Sequence, residues 1–149
     1  MAEAAKQITG ATGALDVNLV TPKGVVAHEA ATGLTAPGEL GMFELLPGHI
    51  PLLTALRPGV LTIGGGRFRG RYAVSTGYLR VDPAGNVEVL VEQAVPSHEV
   101  DVEKAKADLK VAESDLASWG DKPTDGDWVN LLHRVQWAQA RIDAAATAH

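Results

Sequence analysis

The sequence predicts an α+β protein, an N-terminal antiparallel β-sandwich followed by a C-terminal antiparallel two-helix hairpin. Three observations predict it. Apolar and polar residues alternate in short stretches between about 15 and 96, the period of half-buried strands. Turn-forming residues recur at close intervals through the same region, as a compact sandwich requires. From 101 onward the apolar spacing changes to three and four, the period of a helix face. The boundaries that follow are 1–14 for a flexible N-terminal tail, 15–97 for the sandwich and 98–149 for the hairpin.

Leu15, Val17 and Leu19 alternate with Asp16 and Asn18 and open the first strand. Thr21-Pro-Lys-Gly24 is a turn, and Val25 to Thr32 is the second strand. Arg57-Pro-Gly59 turns the chain into Val60-Leu-Thr-Ile63, and Gly64-Gly-Gly66 reads as a loop. Arg67, Arg69 and Arg71 then alternate with Phe68, Gly70 and Tyr72, so the arginines leave one face of a strand and the aromatics the other. Tyr78 to Val81 and Val87 to Val91 flank Asp82-Pro-Ala-Gly-Asn86, a strong hairpin turn.

Two helical seams follow. Val102, Ala105, Leu109, Ala112, Leu116 and Trp119 line the first, and Trp128, Leu131, Val135, Ala138, Ile142 and Ala145 the second. Asp101 and Asp127 are placed as N-caps. The segment Gly120 to Gly126 between them is rich in helix breakers. Two helices bury only one face of each other, so the hairpin is expected either to dock on a further surface or to be labile.

Composition excludes several function classes. The 149 residues carry a net charge of -5, with 21% charged and 46% hydrophobic residues. Nucleic-acid binding needs a basic surface that displaces counterions, and this balance argues against it. The chain has no cysteine, which rules out disulfides, zinc-thiolate sites and thiol catalysis. No run of 18 apolar residues offers a membrane span. The five histidines, His28, His49, His98, His133 and His149, lack close metal-ligand spacing, and no metal site is predicted. Ser75 lies in Val-Ser-Thr-Gly rather than Gly-x-Ser-x-Gly, and no catalytic residue is assigned.

A short apolar run, Met42-Phe-Glu-Leu-Leu46, is bracketed by Gly38-Glu-Leu-Gly41 and Pro47-Gly-His-Ile-Pro51. The prolines disfavour a central strand, so the run reads as a loop. Its apolar residues belong either to the core or to an exposed contact patch, and Glu44 in its middle favours partial exposure. Gly38-Glu-Leu-Gly41, Pro47-Gly-His49 and Pro51-Leu-Leu-Thr-Ala-Leu-Arg-Pro-Gly59 resemble the signature region of the F-type ATP synthase epsilon subunit, equivalent to the mitochondrial delta subunit. Leu15-Asp-Val17, Ser75-Thr-Gly77 with Leu79-Arg-Val81, Val87-Glu-Val-Leu90 and Glu92-Gln-Ala94 agree with that family in order. The resemblance runs from about 15 to 144. One departure stands out: five residues separate Gly41 from Pro47, where the family pattern has about two.

The resemblance implies a non-catalytic rotor subunit of the central stalk. Its partners would be the gamma subunit, the c-ring of the membrane sector and, transiently, the alpha/beta head, without nucleic acid. It would couple the gamma shaft to the ring in ATP synthesis, with a C-terminal hairpin that can restrain ATP hydrolysis. Contact with the c-ring is carried over to Glu39, Leu40, Gly41, Met42, Phe43 and His49, the insertion enlarging it through Phe43 and Leu45; His49 reads equally as a residue that shapes its own loop. The implied location is the cytoplasmic face of a bacterial inner membrane, or the matrix face in an organelle. No cofactor is implied, but some family members bind ATP on the hairpin as a regulatory ligand. In that motif's place stands Val100-Asp-Val-Glu-Lys-Ala105, with Lys104 where the family has arginine, a substitution that keeps the charge and loses the planar fork. Asp101, Lys104, Arg134 and Arg141 are the candidate nucleotide-binding residues, with two solvated arginines as the competing reading of 134 and 141. Gly64-Gly-Gly66 lacks the Lys-Ser/Thr of a phosphate loop. A metal-dependent β-sandwich enzyme is the alternative function.

Overall fold

The computed structural model describes residues 14–65 and 68–146. Among the described residues ten strands run in order: β1 Leu15–Thr21, β2 Gly24–Ala31, β3 Gly33–Gly38, β4 Gly41–Leu45, β5 Leu52–Leu56, β6 Gly59–Gly65, β7 Phe68–Val74, β8 Gly77–Val81, β9 Asn86–Val91 and β10 Ala94–Pro96. A short 3-10 turn, Ser97–Glu99, leads to helices α1 Val102–Ala117 and α2 Gly126–Ala146. The antiparallel sandwich followed by a two-helix hairpin is the predicted fold. The tail read over 1–14 lies, up to residue 13, outside the described residues, as do Gly66, Arg67 and His149.

The strands form two layers. One holds β5, β8, β9, β1 and β2; the other holds β10, β7, β6, β3 and β4. They join where Gly38 of β3 pairs with Leu56 of β5. Alternation sends Leu15, Val17 and Leu19 of β1 into the space between layers, against Leu79 and Val81 of β8 and Val87, Val89 and Val91 of β9. The facing layer adds Leu34, Ala36, Leu45, Leu61, Ile63, Tyr72 and Val74. Among the described residues every ladder is antiparallel except β1 with β9, which run parallel. Gly77 exists for this packing: a Cβ there would strike the Leu90 carbonyl oxygen and come within 2.7 Å of the Val91 Cα.

Four sequence expectations are corrected. Met42 to Leu45, read as loop, belongs to strand β4, and Pro47 and Pro51 fall beyond its end. The strand forms because it pairs with β3 from Gly38 opposite Gly41 to Leu34 opposite Leu45. Gly64 and Gly65, read as loop, continue β6, with Gly64 opposite Arg69. The N-cap of α2 is Asp125 rather than Asp127; its Oδ1 accepts from the backbone N–H groups of Asp127 and Trp128. Toward its C-terminus α2 buries Ala144 rather than Ala145.

The hairpin is docked. Ala105 and Ala112 of α1 and Leu131 and Ala138 of α2 are the buried seam between the helices. A second face of α2, missed by the single-seam reading, meets the sheet. Ala140 and Ala144 pack with Trp137 against Ala73 of β7 and Val60 of β6. Small side chains on both surfaces bring helix and sheet close. Helix α1 rests on α2 rather than on the strands.

Candidate functional site

Two places on the molecule gather the residues singled out from the sequence. The first is the β3–β4 ribbon. Glu39 and Leu40 form its two-residue turn, and Gly41 closes it at φ 136°, a conformation other L-residues rarely adopt. Leu40 is fully exposed at the tip. The tip is anchored: Arg57 Nε donates to the Gly38 carbonyl at 3.1 Å, and the Arg57 and Glu39 backbone N–H groups donate to Pro37 and Ala55.

Beyond the tip the strand alternates. Leu45 is fully buried and Phe43 packs on the core, so neither enlarges an outer surface. Met42 points outward beside α2, where it shares a cleft of about 380 Å³ with Pro37, Val60, Val135 and Gln139. His49 stands apart from the tip. Strand β4 spans four rises of about 3.4 Å, roughly 14 Å, and His49 lies past its far end. There its backbone N–H donates to the Leu46 carbonyl at 3.1 Å and its Nδ1 lies 2.8 Å from the Ile50 carbonyl oxygen. Both bonds are local to the loop.

The second place is a cleft of about 380 Å³ on the hairpin. Lys104 and Asp108 of α1, Arg134, Trp137 and Arg141 of α2, and Gln93 before β10 line it. Lys104, Arg134 and Arg141 are thus brought together, and Asp101 is not. Asp101 caps α1, its Oδ1 accepting from the Lys104 backbone N–H at 3.1 Å. The cations already have carboxylate partners: Arg134 with Asp115 at 3.3 Å, and both Lys104 and Arg141 with Asp108. The Arg141 hydrogen bond is the main reason that the Asp108 carboxyl titrates below the ordinary carboxylate range, with Lys104 adding to it and desolvation opposing. Asp108, Gln93 and Trp137 went unassigned in the sequence. Asp108 lies one turn after Lys104, so the charge spacing signals it; Gln93 comes from the sandwich and carries no such signal.

The outer face of β5, β8 and β9 is a further feature. Leu53, Tyr78 and Leu90 are exposed there, beside an Arg80–Glu88 ion pair. Among the described residues no group of acidic and histidine side chains could hold a metal ion, and no helix is long and apolar enough to cross a membrane.

Comparison with known proteins decides the family. The model of the ATP synthase delta/epsilon chain β-sandwich domain matches residues 14–97. The chain belongs to this family. It is 40% identical over 131 residues to the ATP synthase epsilon chain of Geobacter metallireducens, covering 88% of this chain and 93% of the relative. It is 43% identical over 134 residues to that of Geobacter sp. strain M21, covering 90% and 95%. The fold is shared with a chain of the Euglena gracilis mitochondrial ATP synthase, with a TM-score of 0.74 at 23% identity over 89% of this chain and 81% of that one. A chain of the Tetrahymena thermophila mitochondrial ATP synthase central stalk and c-ring gives a TM-score of 0.61 at 17% identity, covering 88% and 96%. The chain is thus a non-catalytic subunit of an ATP synthase, of the epsilon-chain kind, and the metal-dependent enzyme reading falls away.

Proposed function

We propose that this subunit joins the gamma shaft to the c-ring, with the β3–β4 tip as the ring contact and the outer face of β5, β8 and β9 as the gamma contact. The observation that carries the ring contact is Leu40, an exposed apolar side chain on a short turn rooted in the core through Arg57 and Leu45. Torque passes through a contact only if the contact is stiff, and a paired ribbon bonded into a sandwich is stiff. Glu39, Leu40 and Gly41 make the contact; Met42 faces α2, Phe43 supports the ribbon from inside, and His49 shapes the loop at the opposite end. Leu53, Tyr78 and Leu90 form an apolar surface rimmed by charge, the composition of a protein interface.

The hairpin is the regulatory part of this reading. Its attachment to the sandwich is one small cluster, Ala140, Ala144 and Trp137 against Ala73 and Val60, and release toward the alpha/beta head restrains hydrolysis. ATP is the regulatory ligand in the cleft of Lys104, Arg134 and Arg141; Asp101 acts there by capping α1. The subunit works at the membrane periphery, on the cytoplasmic face in a bacterium. The test is capture from native membranes: the gamma subunit and the ATPase head co-purify with the tagged chain if the reading holds, and recovery of neither overturns it.

A further inference from the structure

Two cations of the hairpin converge on one oxygen. Asp108 Oδ2 lies 3.1 Å from Arg141 Nη2 and 3.3 Å from Lys104 Nζ. The Arg141 side chain is only 14% exposed, so the partners of its guanidinium lie inside the fold rather than in solvent. Its Nε donates to the Trp137 carbonyl at 3.4 Å, and its guanidinium lies 5.2 Å from the Trp137 ring centre. Asp115 meanwhile takes Arg134. Three cations and two carboxylates leave a net charge of about +1 around the cleft, little for a triphosphate that brings several negative charges.

We propose that Asp108 is a specificity-determining residue of the hairpin cleft, a built-in carboxylate that fills the anion position between Lys104 and Arg141. The hairpin therefore closes without a ligand, and oligophosphates bind it weakly. This rests on the reading of the cleft as a nucleotide site. A phosphate that reaches Arg141 has to break the Asp108 bond, and the displaced carboxylate then stays close enough to repel it. Two costs follow from one residue: a lost ion pair and a like-charge neighbour. Asp108→Asn removes the charge with little change of shape. Asp108→Glu keeps the charge and serves as control.

The experiment titrates the intact chain with ATP and, separately, with inorganic tripolyphosphate by calorimetry, and follows hydrogen exchange of α1 and α2 without ligand. Asp108→Asn is expected to bind tripolyphosphate at least tenfold more tightly than the unsubstituted chain, while Asp108→Glu stays weak. Ligand-free protection of the helices falls in Asp108→Asn and returns on adding the anion. Asp108→Ser, a second neutral variant, gives the same gain if Asn disturbs folding. A neutral variant that binds no tighter, while the unsubstituted chain binds ATP, overturns the role of Asp108 and leaves the nucleotide reading intact. Tighter binding of tripolyphosphate with no binding of ATP sinks the nucleotide reading and upholds Asp108. Binding of neither anion by any variant overturns both.

Discussion

The docking of α2 on the sheet is the contact most exposed to a small change. Ala140 and Ala144 are 3% and 0% exposed and meet Ala73, itself 0% exposed. Ala144→Leu adds three carbons to a surface already in contact with its neighbours. Overpacking of this kind costs about 1–3 kcal/mol. At about 1.4 kcal/mol per tenfold change, the ratio of docked to released hairpin falls by roughly 5- to 150-fold. The sandwich keeps its own core and stays folded. Hydrogen exchange resolved along the chain reads both outcomes: amides of α2 lose protection by that factor, while those of β1, β8 and β9 do not change. Trp137, at the same contact, gives a fluorescence check. Unchanged protection of α2 in a folded Ala144→Leu protein would refute the view that an alanine-lined contact governs docking.

Two further outcomes test the sandwich. Gly77→Ala forces a Cβ into the backbone of Leu90 and Val91, which cannot yield as a flexible side chain would; a loss of several kcal/mol, on the order of 3 or more, is expected in denaturant unfolding. The β8–β9 turn makes stability acid-sensitive. Desolvation pushes the Asp82 carboxyl up, but hydrogen bonds from the Asn86 side chain and backbone and from the Ala84 N–H outweigh it and hold the group below the usual range. A carboxyl lowered by folding contributes its full stability above its unfolded value near 4 and loses it as pH falls through the lower folded value. Asp82→Ala should lower the midpoint of thermal unfolding at pH 7 and flatten its decline as pH falls below about 4; an unchanged acid decline would discount the turn as its source.

The fold was legible where one local signal decided the outcome. Leu15, Val17 and Leu19 show their inward face by alternation alone, and the Asp82 to Asn86 turn declares itself by composition. The change of period at 101 separates strands from helices for the same reason. Strand β4 was not legible, because its residues are held by pairing with β3, while Pro47 and Pro51 next to it signal a loop. The second face of α2 was hidden for a related reason. Ala140 and Ala144 carry little hydrophobic weight in a seam count, yet their smallness is what lets the helix approach Ala73. Of the hairpin cations, Arg134 and Arg141 are seven residues apart, a spacing that sets both on one side of α2, and both line the same cleft. Their counterions, Asp108 and Asp115, sit across the interhelical gap, where spacing along one helix does not reach. Likewise Glu39 and His49 are ten residues apart in a run that reads as one loop, and the length of β4 is what separates them.

The proposed contact between the β3–β4 tip and the ring is open to direct test. The chain has no cysteine, so a single one introduced in place of Leu40 is unambiguous. The most direct measurement is crosslinking from that position in the assembled ATP synthase, with His49→Cys as the comparison. Crosslinks from position 40 to the c subunit, and few or none from position 49, are the predicted result. Crosslinks to the c subunit from position 49 and none from position 40 would contradict it.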